Sequence, residues 1–149
     1  MNSAHTIEVL LVEDNPRDAE FILLALRKDG LIRHVEHVRD GQAALDFLFC
    51  QGLYAGRESG QPRLVLLDLK LPKVDGIEVL RRLRAQASTA ELPVVVFTSS
   101  REARDVNALS GLGVNSYVVK PIAFEEFSAA VAMVGRYWVT LNQPLRPTL

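Results

Sequence analysis

A single cysteine, Cys50, stands in this chain of 149 residues. One thiol excludes an internal disulfide framework and any cysteine-rich zinc site, and it fits a reducing compartment. A surplus of one sign of charge is also missing. Lys and Arg total 17 against 18 Asp and Glu, a formal net charge of -1, which argues against a nucleic-acid or anionic-membrane binder that works through bulk charge. Long apolar runs are absent too. Stretches such as Phe21 to Leu26 stop at six residues, far short of the roughly 20 that span a bilayer. The opening Met1-Asn2-Ser3-Ala4-His5-Thr6 has neither the basic nor the apolar region of a signal peptide. What remains, at 48% hydrophobic and 23% charged, is globular composition. The expectation is one soluble cytoplasmic domain over 1–149, with a core at 7–138 and a C-terminal arm at 139–149.

Short apolar runs alternate with amphipathic stretches, the pattern of βα units on a parallel sheet. Ile7 to Val12 is nearly continuous in apolar residues, as a strand covered on both faces must be. Asn15 then offers an N-cap and Pro16 a preorganised first helical position, so a helix is expected to about Asp29, with Gly30 past its end. Arg33 to Val38 reads as a more polar edge strand, and Asp40 as the cap of a second helix. Leu64 to Asp68 is the third strand, with a third helix opened by Asp75-Gly76. Leu92 to Thr98 is the fourth strand, and Ser99 with Glu102 resembles a capping box for a fourth helix ending near Gly113. Ser116 to Val119 is the fifth strand, and Phe124, Phe127, Val131 and Val134 mark a final helix reaching Trp138. The right-handed crossover rule then favours an α/β fold with a doubly wound five-stranded parallel sheet in the order 2-1-3-4-5, flavodoxin-like in topology.

In such a sheet, ligands bind outside the carboxyl ends of the strands. Those ends carry Glu13 and Asp14, Asp68, Thr98, and Lys120. Three clustered carboxylates repel one another and call for a cation. An oxygen-rich, partly solvated set suits Mg²⁺, and the loop after Asp68 can add a backbone carbonyl. A carboxylate beside a divalent ion, with a lysine and a hydroxyl at hand, is equipped to accept a phosphoryl group. Asp68 is then the nucleophile, Lys120 the holder of a phosphoryl oxygen and Thr98 a hydroxyl donor.

The set Glu13-Asp14, Asp68, Thr98 and Lys120-Pro121, with Leu71-Pro72 and Asp75-Gly76 after the nucleophile, resembles the receiver domain of two-component response regulators. The resemblance covers residues 7 to about 138. It implies that Asp68 takes phosphate from a sensor histidine kinase or a phosphotransfer protein. It also implies Mg²⁺, or Mn²⁺, held by Asp14, Asp68 and the Lys70 carbonyl, with Glu13 acting through water. Tyr117 matches the aromatic position that reorients when Thr98 moves, and Pro121 is expected to follow a cis peptide bond. The chain is thus expected to be a stand-alone phosphorylation-dependent interaction switch, a phosphoacceptor rather than a metabolic enzyme. The polar stretch 51–61 and the C-terminal arm resemble, within the family, the small receivers paired with phytochrome-type histidine kinases.

Rival readings fare worse. An Asp-nucleophile phosphohydrolase would resemble a D-x-D motif, and Lys70 stands where its general acid belongs. A flavin binder would need a Ser/Thr/Gly phosphate loop where this chain has the acids of Glu13 to Asp18. A scaffold receiver would lack an acid, the nucleophile or the lysine, and all are kept. His34 and His37, three apart on a strand, point to opposite faces and make no metal pair. Arg81, Arg82 and Arg84 read as a solvated face rather than a nucleic-acid site. Beyond the final helix, Val139, Leu141 and Leu145 stand at even spacing with Pro144 and Pro147. They are expected to line one side of an extended arm that packs on a neighbouring subunit or on the final helices of its own chain, with a symmetric homodimer preferred.

Overall fold

The structure is a computed structural model that describes residues 7–28, 30–58, 60–99 and 107–142. Strands β1 (Val9–Val12), β2 (Val35–Val38), β3 (Leu64–Leu67), β4 (Val94–Thr98) and β5 (Ser116–Val119) form one parallel sheet in the order β2-β1-β3-β4-β5. The three inner strands are buried along their whole length, whereas β2 and β5 at the edges are half-buried. That matches a sheet whose interior strands are covered on both faces.

Alternation along each strand sends side chains to two separate cores. Val9, Leu11, Leu64, Leu66, Val95 and Phe97 pack with Ile22 and Leu26 of α1 (Pro16–Arg27) and with Phe127 and Val131 of α4 (Phe124–Arg136). Leu10, Val12, Val65, Leu67, Val94 and Val96 face the other way. They meet Leu45 and Leu48 of α2 (Gly41–Leu48) and Val79, Leu80 and Leu83 of α3 (Gly76–Ala85).

The helix starts follow local chemistry. Asn15 Oδ1 accepts the N–H groups of Arg17 (2.9 Å) and Asp18 (3.1 Å), and Pro16 takes the first helical position. Asp40 caps α2 through the Ala43 N–H at 2.8 Å and Asp75 caps α3 through the Glu78 N–H at 2.9 Å. Each satisfies a donor that the helix itself leaves open. Helix α1 closes at Arg27, two residues before the expected end, and Gly30 follows at φ +77°. Strand β2 begins at Val35 rather than Arg33, because Glu8 Oε1 accepts the N–H groups of Arg33 (2.8 Å) and His34 (3.1 Å). The expected fourth helix is described only from residue 107 onward, where 107–109 are helical. Ser99 follows β4 as an exposed bend residue, but its expected capping partner Glu102 and the stretch 100–106 lie outside the described residues.

The polar stretch 51–61 is a brace for the end of α2. It forms a 3-10 turn at Gly52–Tyr54, after which Arg57 Nε donates to the Phe47 carbonyl (2.9 Å), with the guanidinium 4.0 Å from the Phe47 ring centre. Gln61 Nε2 donates to the Leu48 carbonyl at 3.1 Å. A cation at a helix C-terminus also complements the helix dipole.

The C-terminal arm departs from expectation in shape, while Val139 packs on its own chain's helices, the second of the two placements expected. Val139 and Leu141 are not extended. Tyr137–Leu141 continues α4 as a π-helical turn, closed by the Asn142 N–H on the Tyr137 carbonyl at 2.7 Å. Val139 is buried in its own chain's α1/α4 core while Leu141 faces out. The even spacing was overridden by burial: the π turn sends Val139 inward beside half-buried Trp138. Leu145, Pro144 and Pro147 lie outside the described residues.

Candidate functional site

The strand order brings the ends of β1, β3, β4 and β5 to one edge. Glu13 and Asp14 follow β1, Asp68 follows β3, Thr98 closes β4 and Lys120 follows β5. Glu13 and Thr98 are almost wholly buried, Asp68 nearly so, and Asp14 is exposed. One carboxylate oxygen each from Glu13, Asp14 and Asp68 lie within 4.8 Å of one another.

The Lys120 ammonium ties the cluster together. Its Nζ donates to Glu13 Oε1 at 2.8 Å, Asp18 Oδ2 at 2.8 Å and Asp68 Oδ2 at 3.3 Å. The backbone places it: the Lys120 N–H donates to the Thr98 carbonyl at 2.8 Å, extending the β4–β5 ladder by one residue. Burial alone would lower the lysine's pKa, but the hydrogen bonds to Asp18 and Glu13 and the charge of Asp68 outweigh it, so the ammonium is held above its ordinary range. Glu13 moves the other way for a carboxylate. Burial, reinforced by the charge of Asp68, pushes it to about 7 despite its hydrogen bond from Lys120.

The donor set fits a hard divalent cation. All candidate ligands are oxygens, and three carboxylates share a single ammonium while Asp14 stands beside two of them. Both Glu13 oxygens are already engaged, Oε1 by Lys120 and Oε2 by the Asn15 N–H at 3.2 Å. Asp68 Oδ1 accepts its neighbour Leu69 N–H at 2.7 Å, which fixes the carboxylate plane. Lys70 is exposed in the bend that follows Asp68.

Two glycines hold that bend in place. A Cβ on Gly76 would stand 2.3 Å from the Asp68 carbonyl oxygen and 2.7 Å from Leu69 Cα. One on Gly41 would stand 1.7 Å from the Val74 carbonyl oxygen. Only glycine permits these approaches, and the Gly76 N–H uses the closeness to reach the Leu69 carbonyl at 2.7 Å. The first turns of α2 and α3 thus clamp the loop between Asp68 and Gly76 from both sides.

The structure brings together Glu13, Asp14, Asp68, Thr98 and Lys120 as expected. Tyr117 is half-buried on the edge strand and packs toward the α2/α3 core. One expectation is corrected: every described peptide bond is trans, Lys120–Pro121 included. Trans is the ordinary preference of an X–Pro bond by about 0.5–1 kcal/mol, and Lys120 reaches its three acids from it. Sequence reading missed Asp18, Gly41 and His37 as parts of the site. His37 Nε2 lies 2.8 Å from the Glu13 carbonyl oxygen, so it steadies the end of β1. Among the described residues, neither His37 nor His34 joins a metal-binding cluster.

Known proteins resemble the chain in sequence and in fold. The response regulator receiver domain matches residues 9–132. A probable methanogenesis regulatory protein, FilR2 of Methanothrix harundinacea, is 41% identical over 139 residues, covering 93% of this chain and 88% of that one. Response regulator Rcp1 of Synechocystis is 37% identical over 131 residues, covering 88% of each. The Mn²⁺-bound structure of Rcp1 superposes with a TM-score of 0.85 at 34% identity, covering 94% of this chain and 99% of that one. The phosphorylated cyanobacterial phytochrome response regulator RcpA gives 0.86 at 34% identity, covering 96% and 100%. The bacteriophytochrome response regulator RtBRR gives 0.75 at 49% identity, covering 93% and 83%. With the family match spanning most of its length and relatives of this identity covered nearly whole, the chain belongs to the response regulator receiver domains of two-component signalling.

Proposed function

We propose that Asp68 accepts a phosphoryl group from a sensor histidine kinase or a phosphotransfer protein, and that the chain acts as a phosphorylation-dependent interaction switch rather than a metabolic enzyme. The observation that carries this reading is the convergence of Lys120, from the end of β5, on Asp68 at the end of β3, beside the acids that follow β1. Asp68 Oδ2 faces the ammonium and is the attacking oxygen. It forms the P–O bond as the donor's P–N bond breaks and the imidazole nitrogen keeps the electron pair. Lys120 then holds a phosphoryl oxygen, and the Thr98 hydroxyl, at the adjacent strand end, donates to another. Asp14, Asp68 and the Lys70 carbonyl are the residues that would hold Mg²⁺, with Glu13 reaching it through water. When bound, the ion supplies charge neutralisation for the transferring group. Hydrolysis reverses the bond: water attacks phosphorus and the Asp68 carboxylate leaves, a slow self-catalysed step.

Two charge-assisted hydrogen bonds, from Thr98 and Lys120, at about 1.5–3 kcal/mol each before offsets, suffice to shift a two-state equilibrium by roughly 10²–10³-fold. Movement of Thr98 is the trigger and Tyr117, two residues from the end of β5, the responding side chain. The similarity to the phytochrome response regulator RcpA and the bacteriophytochrome response regulator RtBRR supports a phytochrome-type kinase as the donor. A homodimer is supported by the outer face of the last helix, where Met133, Tyr137 and Leu141 stand four residues apart and exposed. Sedimentation of the Met133→Lys variant checks it, with a shift toward monomer expected.

Incubation with acetyl phosphate and Mg²⁺, followed by intact-mass analysis, tests the central claim. One phosphoryl adduct is expected, absent in Asp68→Asn and in chelator. A cognate phytochrome kinase in place of acetyl phosphate should make uptake depend on red or far-red light. No adduct from a competent donor overturns the reading.

A further inference from the structure

A lysine ammonium has three N–H donors and no acceptor. In Lys120 all three are aimed at carboxylates, and the two shortest contacts, 2.8 Å each, go to acids outside the phosphoryl-accepting position. Asp68 receives the longest, at 3.3 Å. Glu13 belongs to the acidic pair after β1, but Asp18 comes from the first turn of α1, 102 residues from Lys120 in sequence. Its place is set by the Asn15 cap, which takes the Asp18 N–H at 3.1 Å and the Arg17 N–H at 2.9 Å, with Pro16 fixing the turn. An acid in the first turn of a helix ordinarily serves the helix dipole and points to water. Asp18 instead spends its carboxylate on a lysine whose side chain is only 9% exposed.

We propose, resting on the phosphoacceptor reading of Asp68, that Asp18 is a positioning residue that competes with Asp68 for the Lys120 ammonium and so sets how readily the site takes up a phosphoryl group. In the resting protein, Asp18 and Glu13 take the two shorter contacts of Nζ and leave Asp68 the longest. An incoming phosphoryl group brings negatively charged oxygens that need this same ammonium, and the lysine must surrender one of its present partners to serve them. Glu13 is buried and also bound to the Asn15 N–H, whereas Asp18 is 28% exposed and its carboxylate can turn to water. Asp18 is therefore the partner that lets go.

The test measures the initial rate of phosphoryl uptake from acetyl phosphate at fixed Mg²⁺ by intact mass. In that step an Asp68 carboxylate oxygen attacks phosphorus, and acetate leaves with the electron pair of the broken P–O bond. Asp18→Asn and Asp18→Ala should each accelerate uptake about two- to fivefold, the range that a partly exposed ion pair carries. Asp18→Glu should return the rate to that of the parent. In a Lys120→Met background, Asp18→Asn should change nothing further. Removing one negative charge from the neighbourhood would speed an anionic donor with or without the lysine, so a gain that persists in that background overturns the proposal. Unchanged or slower uptake in Asp18→Asn and Asp18→Ala overturns it as well, and leaves the phosphoacceptor reading standing. Absence of any adduct in the parent chain overturns that reading, and this inference with it.

Discussion

Two cations are drawn into this fold, and they are held in opposite ways. Lys120, at the carboxyl edge of the sheet, is surrounded by the carboxylates of Glu13, Asp18 and Asp68. Arg84, near the end of α3, has no acid partner among the described residues. Its guanidinium donates to five backbone carbonyls: Leu112 (2.8 Å), Thr89 (3.2 Å), Ala90 (3.1 Å), Leu92 (2.9 Å) and Gly113 (2.8 Å). Burial pushes the Arg84 pKa down, whereas the acids around Lys120 push its own up in spite of burial. Arginine's planar fork suits fixed carbonyl dipoles, and a guanidinium stays charged even where desolvation works against it. A lysine among charged carboxylates is held by partners that can be exchanged, because a metal ion or a phosphoryl group changes the local charge balance. Arg84 fastens the α3–β4 turn to the loop before β5 by bonds that no change of ligand disturbs. One corner is built to be re-wired, the other to stay shut.

Lys120→Met is the severest test of that contrast. It leaves three acids without their cation and should cost about 2–4 kcal/mol in urea unfolding of the metal-free protein. Saturating Mg²⁺ should recover most of the loss. Arg84→Met should cost about 2–3 kcal/mol, because several carbonyls lose their donor in places water reaches poorly, and Mg²⁺ should restore none of it. Equal rescue of both variants by the ion would erase the distinction. Glu13 supplies a smaller effect. Its folded pKa of about 7 lies above the ordinary 4.5, so the folded state binds more protons between those values. Stability of the metal-free protein should therefore fall by about 1–3 kcal/mol as pH rises from about 4.5 to 7. Lys120 titrates far above that window. The slope should vanish in Glu13→Gln, and a flat parent profile would show that the acid ionises as it does in water. Least of all should come from Arg82→Ala on the same helix as Arg84. Arg82 is an exposed partner of Glu78, and its loss should move stability by under about 0.5 kcal/mol.

The basic run on α3 also shows where sequence stops being readable. Arg81 and Arg82 do lie on a solvated face, paired with Glu78. Arg84, two positions on, is half-buried because the loop before β5 returns to it from 28 residues away. Composition around the run carries no trace of that return. The strands were legible because β1, β3 and β4 are buried on both faces and so must be apolar throughout. The site followed, since a doubly wound order sends their carboxyl ends to one edge. Asp18 escaped because an acid at that point of a helix is already explained by the helix. Gly41 escaped because its constraint is the Val74 carbonyl, supplied by another loop. In the tail, alternation promised an extended strand, but two residues past a helix end are too few to fix a period. The core's demand for Val139 decided the conformation.

Val139 also has a practical side. Only 5% of it is exposed, and it fills a place in the α1/α4 core after the regular helix has ended. A biosensor that grafts a fluorescent reporter or an effector onto this chain therefore has its earliest sound junction after Asn142, whose N–H closes the last turn. Splicing directly after Arg136 or Trp138 would remove a buried side chain worth about 1.5–3 kcal/mol and open the floor between two helices. A graft placed after the turn would instead keep Val139 in its core and leave through the extended backbone of Asn142.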